Sequence, residues 1–493
     1  MKVLPYFVIL PLAGSFLVIF IDSVLKDRKV RDTVADILAN VIMLTLFILT
    51  LTLFGQSCSY FVGGWRPPFG INFLLDGLSH LMLVAVNLIA LLSGIFSINY
   101  MSQYTARRHY WALFLLMLTG MNGVLLSGDF FNLFVFLEIA SVASYALVGF
   151  GTEAEELEAS FKYMVMGAVA SSLVLMAVAV LYSRFGILNM SYISAAMPGE
   201  SFDWLLKFSL FLFITAFSIK GALVPFHAWL PDAHPSAPAP VSAMLSGVLI
   251  ETIGIYALTR VIFNVFSYKS ILLANLGVIS MMVGVLLALG QTDIKRLLAY
   301  SSISQVGYIV LGLGLGTPLG IFGALFHLIN HSIFKSLLFL NSGSVFYRLK
   351  TRDLNSMGGL NKVMPVTGAT SLVASLSISG LPPFNGFFSK LIIIIACVQS
   401  GHPVLAVWAV IGSVLTLAYF MKVQKLAFFG KLKEINKEIK ESPFFMSASV
   451  IILAALCLAT SFILLPGVRN KILTPAVNAV LNPTNYRMMV YIK

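Results

Sequence analysis

An all-α protein that crosses a membrane about fourteen times is predicted by three features of this sequence. Its 493 residues are 59% hydrophobic and 11% charged, whereas soluble domains carry about 25% charged residues. Apolar runs of roughly 20 residues, the length that spans a bilayer, follow one another along the chain. Between them no polar stretch is long enough to enclose a soluble core.

The runs fall at roughly 3–21, 33–54, 74–98, 109–127, 129–150, 160–184, 204–224, 240–264, 270–290, 301–316, 319–347, 365–400, 402–429 and 444–465. The first follows Lys2 without a small-residue cleavage site before the next charged loop, and reads as a retained helix. The seventh is interrupted by Pro225 and Pro231, the twelfth by Pro382 and Pro383. A proline inside a helix removes a backbone donor and crowds the preceding turn. Unwound backbone at membrane depth is tolerated only against protein or a water-filled cavity. Each break stands beside a lysine, Lys220 or Lys390. The strings SIKGALVPFH from Ser218 and SISGLPPFN from Ser377 echo each other, although Lys220 precedes its break and Lys390 follows its own. Inverted repeats with discontinuous helices are a recurring transporter plan.

Basic residues alternate between loops. Odd-numbered loops hold Lys26, Arg28, Lys29 and Arg31, then Arg107 and Arg108, Lys295 and Arg296, and Arg348, Lys350, Arg352 and Lys362. The last odd loop holds Lys422, Lys425, Lys431, Lys433, Lys437 and Lys440, while even loops hold little beyond Arg66, Lys207, Arg260 and Lys269. This asymmetry predicts a multi-pass cell-membrane protein with odd loops in the cytoplasm and both termini outside. The acidic Glu153, Glu155, Glu156 and Glu158 depart from the pattern, but acidic residues contribute little to orientation. A net charge of +12 is therefore read as loop lysines facing the anionic lipid bilayer, with no nucleic-acid partner.

Among the ionisable residues inside the apolar runs, four of mixed sign stand out: Glu138, Lys220, Glu251 and Lys390. A charge at the centre of a membrane helix costs about 2.5–3.5 kcal/mol on insertion scales. A static ion pair explains one buried couple, and Glu138 with Lys220 is the natural one if their helices pack together. Four such groups predict a path for protons or sodium ions. In ALFHLINHSIFKSLLFL, His327, His331 and Lys335 recur every four residues, so they share one helical face. Imidazoles titrate near pH 6.5 and suit a relay, though hydrogen-bonded buried histidines give the same spacing. The H-x-x-x-H pattern lacks both the glutamate of HExxH and a third ligand, so no metal is expected. His227, Asp232 and His234 beside the first break mark either an ion entrance or an interfacial loop. Asp129 reads as a helix N-cap, and Asp293, Lys295 and Arg296 as a membrane–water boundary.

Cys58, Cys397 and Cys457 are isolated, which excludes a redox or metal centre built on cysteine. No P-loop, dinucleotide fingerprint or nucleophile elbow occurs, so the chain carries no cofactor and no catalytic redox site of its own.

SIKGALVPFHAWLPDAHPSAPAPVSAMLSG, QTDIKRLLAYSSISQVGYIVLG, FHLINHSIFKSLLFL and GLPPFNGFFSK together resemble the antiporter-like subunits of respiratory complex I and its relatives. That family comprises large membrane subunits of NADH:quinone oxidoreductase, Mrp-type sodium/proton antiporters and membrane-bound hydrogenases. The likeness runs over roughly residues 70–430, and FVGGWRPPFGINFLLDGLS is most similar to the D-type subunits of Mrp antiporters. The resemblance implies two inverted five-helix repeats, helices four to eight (109–264) and nine to thirteen (265–430), with helices seven and twelve broken. Residues 1–108 would supply three preceding helices, and 431–493 a linker, helix fourteen and a tail. It further implies that Glu138, Lys220, His327 or His331, and Lys390 hold the family's ionisable positions, and that other membrane subunits are the partners. Where many relatives carry lysine or histidine on helix eight, this chain has Glu251, which implies another proton route, a sodium-linked site or a specialised hydrogenase or sulfur-reducing complex.

The sequence thus predicts a subunit that exchanges protons and sodium ions inside a larger assembly. The rival from the same fold is a pumping subunit of a redox complex. A rival of another class, an organic solute transporter, predicts a roomy central cavity.

Overall fold

Polar side chains at segment boundaries start the helices by accepting from backbone N–H groups that have no partner in the first turn. Asp129 accepts from Phe131 and Asn132, Asp203 from Leu205 and Leu206, and Asp293 from Arg296. The computed structural model describes residues 3–24, 27–433 and 438–489; Lys2, Lys26 and Lys437 lie outside them.

The chain opens with α1 (Tyr6–Val24) and α2 (Arg28–Thr52), then a hairpin of β1 (Cys58–Phe61) and β2 (Asn72–Leu75). The hairpin is a small addition to a predominantly helical chain: Cys58 pairs with Leu75 and Phe61 with Asn72, antiparallel. Helices α3 (Gly77–Tyr100), α4 (Arg107–Leu126), α5 (Phe130–Val148) and α6 (Ala154–Phe185) follow, then the short α7 (Met190–Ala196). The first interruption separates α8 (Trp204–Lys220) from α9 (Leu230–Ser236). One long helix, Ala239–Val265, contains α10 (Ala239–Met244) and α11 (Ala257–Thr259), its other turns being largely π-helical. Then come α12 (Ile271–Leu289), α13 (Ile294–Gly314) and α14 (Pro318–Leu349). The second interruption separates α15 (Pro365–Ser379) from α16 (Asn385–Gln399). The chain closes with α17 (Pro403–Val423), α18 (Phe444–Ala459), α19 (Pro466–Leu481) and α20 (Pro483–Met488).

Among the described residues, eleven helices are long and apolar enough to cross a membrane. Their burial sorts them into layers. The most apolar window of Ala239–Val265 is wholly buried and those of α13 and α14 are 94% buried, whereas that of α6 is 39% buried. Apolar side chains such as Phe161, Phe211, Leu286 and Val414 point outward, as bilayer-facing residues do. Lipid offers no hydrophobic drive for helices to associate, so close backbone approach holds them together. At the α12–α13 contact, a Cβ on Gly277 would stand 2.4 Å from Leu311 N and 2.7 Å from Gly307 O.

Segments separated by membrane helices meet again at the two ends of the bundle. β2, the α4–α5 turn and the segment before α7 are knitted by bridges Phe73–Ser127 and Asp129–Asn189, and Asn189 Nδ2 donates to Asn72 Oδ1 at 2.8 Å. The opposite end joins Asp293 to Asp353. The C-terminal helices cover the first of these ends, where Arg260 donates to both oxygens of Asp76 at 2.6 and 2.8 Å. The Arg260 guanidinium lies 5.3 Å from the Tyr256 ring and 4.9 Å from that of Tyr486. Burial pushes the Asp76 carboxyl up, but Arg260 and hydrogen bonds from Ser79 outweigh it and hold it below the usual carboxylate range. A depressed native pKa stabilises the fold above the unfolded value near 3.8, and that stabilisation disappears as pH falls through the native value. Thermal melts taken from pH 6 downward are therefore expected to lose stability below about pH 4, and to do so less in Asp76→Asn.

Candidate functional site

Each break sets a lysine against a helix terminus. Lys220 is the last residue of α8, where unpaired carbonyls make a cation favourable. Its amine donates to Ser141 Oγ at 2.9 Å and Ser171 Oγ at 3.0 Å, and lies 3.6 Å from Glu138 Oε1. Ser171 also donates to Glu138 Oε1. The two members differ in burial: the Lys220 side chain is 2% exposed and that of Glu138 34%. Glu138 thus occupies the edge of the chain, at membrane depth on α5, with its carboxylate shared between the lysine and the surface.

Past Lys220 the backbone turns through Gly221 and Ala222 and lies against Gly254 of the long helix. A Cβ on Gly254 would stand 2.5 Å from Gly221 Cα and 2.6 Å from Gly221 N. Gly254→Ala is therefore expected to push this helix off the break at a cost of about 1–3 kcal/mol, visible as a lower melting temperature of the purified protein. One turn away from Gly254 stands Glu251, fully buried in a π-helical turn. Such turns occur often at functional sites. His331 Nδ1 shares a hydrogen bond of 2.7 Å with Glu251 Oε1, and Ser332 Oγ donates to Oε2 at 2.6 Å.

His331 belongs to the four-residue series on α14, and all three members are fully buried. Lys335 donates to Leu298 O at 2.5 Å and to Ser301, both on α13. His327 Nδ1 shares a hydrogen bond of 2.9 Å with Ser389 Oγ, next to Lys390 on α16. The Lys390 amine donates at 2.7 Å to Ile378 O, a carbonyl released where α15 ends, and stands 4.7 Å over the Tyr308 ring. Tyr308 in turn lies 5.6 Å from the His327 ring. The geometry therefore pairs Glu251 with His331, sets His327 against Ser389 and against the Tyr308 ring that also faces Lys390, and places Glu138 beside Lys220. Packing at Gly254 brings the helix that carries Glu251 against the break beside Lys220.

The residues around the first break separate. Asp232 pairs with Lys162 at 3.0 Å and Arg296 at 3.4 Å, beside a 380 Å³ cavity also lined by Glu155, Asp293 and Arg352. His234 is fully buried, edge-on to Phe339 at 5.6 Å, while His227 is half-buried and Pro225, Pro382 and Pro383 are exposed. Lys295 corrects the boundary reading: it is 3% exposed and turns inward, donating at 2.6 Å to Ala237 O, just beyond the end of α9. Sequence reasoning also passed over Ser141, Ser171, Ser301, Ser332, Ser389 and Tyr308. Ser141 stands three residues from Glu138, and Ser332 and Ser389 each adjoin a singled-out residue, which is the signal that could have found them. Among the described residues no group of three metal-ligating side chains occurs.

The fold around these residues recurs in known proteins. A family profile described as NADH:quinone oxidoreductase/Mrp antiporter, TM, matches residues 127–416, and one described as complex I chain 5 N-terminus matches residues 67–111. The chain is 36% identical over 388 residues to the N-type subunit of the NADH-quinone oxidoreductase of Desulforudis audaxviator, covering 77% of each. It is 31% identical over 489 residues to the D-type subunit of the Na(+)/H(+) antiporter of Alkalihalophilus pseudofirmus, covering 97% of this chain and 98% of the other. Among solved structures it is similar to a chain of the Mrp complex from Dietzia sp., with a TM-score of 0.90, 28% identity and 99% of each chain covered. A chain of the membrane-bound sulfane sulfur reductase, an archaeal respiratory membrane complex, also matches with a TM-score of 0.90, at 29% identity and with 99% of this chain and 100% of that one covered.

Proposed function

Because this chain belongs to the NADH:quinone oxidoreductase/Mrp antiporter family of membrane subunits, we propose that it exchanges protons for sodium ions along its line of buried ionisable groups. It is an antiporter-like subunit of a multisubunit assembly. The observation that carries the transport reading is the Glu138–Lys220 contact, an acid and an amine 3.6 Å apart at membrane depth beside unwound backbone. Weakening the hold of Glu138 on Lys220 favours release of the lysine proton, because burial disfavours the charged amine once its counter-charge is withdrawn. Glu251 and His331 lie on the route between this couple and Lys390, the terminal amine. Glu138 at the chain's edge suits a neighbouring subunit that alters its surroundings.

The fold reading extends in the same way. An apolar helix at Tyr6–Ile21 and the two interrupted pairs, α8 with α9 and α15 with α16, raise the eleven spans to fourteen. Residues 109–264 and 265–430 form the two inverted repeats, each holding one break, between 1–108 and 431–493. Both termini lie outside the cell membrane, as the loop lysines require.

Purified intact assembly in vesicles is expected to take up sodium when an outward proton gradient is imposed, and to fail without the gradient. Uptake that ignores the gradient overturns the exchange reading. A second reading, a pumping subunit of a redox complex, is favoured by Glu251 in place of a basic residue and by the likeness to the sulfane sulfur reductase chain. Co-purifying iron–sulfur subunits would support it, and a set of membrane subunits alone would support the antiporter. The solute-transporter reading lacks support: the 550 Å³ groove, lined by residues such as Phe202, Ile214, Phe263 and Leu276, contains none of the buried ionisable series.

A further inference from the structure

Gln305 of α13 is fully buried, and neither its carboxamide oxygen nor its nitrogen has a hydrogen-bond partner among the described residues. Leaving such a group unpaired in the interior is unfavourable. Interiors therefore pair buried amides with protein or with bound water. The same condition recurs nearby at His331 Nε2, His327 Nε2, Asn330 Oδ1 and Ser304 Oγ. All of these groups belong to α13 and α14.

The two helices run antiparallel, and their contacts set the level of Gln305. At one end Lys335 of α14 meets Leu298 and Ser301 of α13. At the other end His327 of α14 meets Tyr308 of α13, over which Lys390 is poised. Ser302 points the same way, sharing a 2.6 Å hydrogen bond with Ser246 on the helix that carries Glu251. Residues 298, 301, 302, 305 and 308 follow spacings of three and four, so they form one stripe along α13. Midway along this stripe stands Gln305, and midway between Lys335 and His327 on α14 stands His331. The two occupy the same level. Glu251 already holds His331 Nδ1, so Nε2 is the ring nitrogen left for this side.

We propose that Gln305 is a positioning residue of the relay, whose carboxamide holds a bound water against His331 Nε2 and so connects that ring with Lys335 and His327. The proposal rests on the transport reading given above. A carboxamide offers donors and an acceptor together, so it holds a water in either orientation as a proton passes. It does not ionise, so it does not trap the proton. In each transfer one N–H or O–H bond breaks as another forms, and the water is left neutral after the proton has moved on.

The test compares Gln305→Leu, Gln305→Asn and Gln305→Glu in the intact assembly, with sodium-driven proton exchange followed in membrane vesicles. Gln305→Leu is expected to lower the exchange rate about tenfold at unchanged assembly content, and Gln305→Asn to keep most of it. Gln305→Glu introduces an acid facing His331, with Glu251, Lys335, His327 and Lys390 around it, and is expected to shift the pH of half-maximal exchange. A purely structural role predicts loss of assembled protein in Gln305→Leu with no pH shift in Gln305→Glu. Wild-type rate and pH profile in both variants overturn the proposal; if Gln305→Leu does not assemble, the Asn and Glu variants decide it alone. Lys220→Ala is measured alongside. Exchange lost there but intact in Gln305→Leu sinks only the Gln305 assignment, whereas exchange intact in Lys220→Ala sinks the transport reading itself.

Discussion

Lys220→Ala is expected to lower ion exchange by the intact assembly about 100-fold or more, with the assembly still formed. The reason for the loss is that Lys220 is the one titratable amine within reach of Glu138, at 3.6 Å, among the described residues. Structural damage stays small because the anion left behind is not stranded. Glu138 keeps its hydrogen bond from Ser171, and its side chain is one-third exposed. Glu138→Ala is the harsher change to the fold, since it leaves a buried ammonium with only the Ser141 and Ser171 hydroxyls. Removing one member of a buried pair costs about 3–5 kcal/mol when the other stays charged. Dye-reported proton movement in everted vesicles, normalised to assembled subunit, separates these outcomes. Exchange within twofold of wild type in Lys220→Ala would remove the residue from the path.

The second large effect is expected at Glu251. Both of its oxygens are hydrogen-bonded, to His331 and Ser332, and neither partner pair touches solvent. Glu251→Ala and His331→Ala should each destabilise the purified protein, and the double variant should cost less than the two together. The coupling expected for residues in direct contact is about 0.5–3 kcal/mol, read from denaturation midpoints in a double-mutant cycle. Glu251→Lys is the sharper transport test. It places a third basic group beside His331 and Lys335, so exchange is expected to collapse. Wild-type exchange in Glu251→Lys would mean that the carboxylate is incidental to the route.

Much of the architecture was legible because a bilayer imposes rules that act within a short stretch of chain. The helix that carries Glu138 could be placed to within a few residues, since Asp129 caps it and apolar residues fill its length. The two interruptions were visible as prolines beside Lys220 and Lys390. The β1–β2 hairpin was not, because Cys58–Phe61 and Asn72–Leu75 are short apolar stretches whose pairing depends on a loop between them. Lys295 was misjudged for a related reason. Its neighbours Asp293 and Arg296 do face water and ion pairs, and only the approach of the α9 terminus turns the middle residue inward.

The amino-acid order by itself determined that this protein lives in a membrane, where its helices begin and break, and which charged residues must lie among apolar ones. Those properties follow from hydrophobic length, proline geometry and the cost of burying charge, and each is set by residues close together in the chain. Tertiary structure alone decided the partnerships. Glu251 meets His331 across 80 residues and Lys220 meets Ser141 across 79, and a shift of one residue along either packed helix would turn these side chains elsewhere. It also decided that Glu138 stands at the edge of the chain and Lys220 within it, a difference in solvation that helix packing creates and that no local pattern encodes.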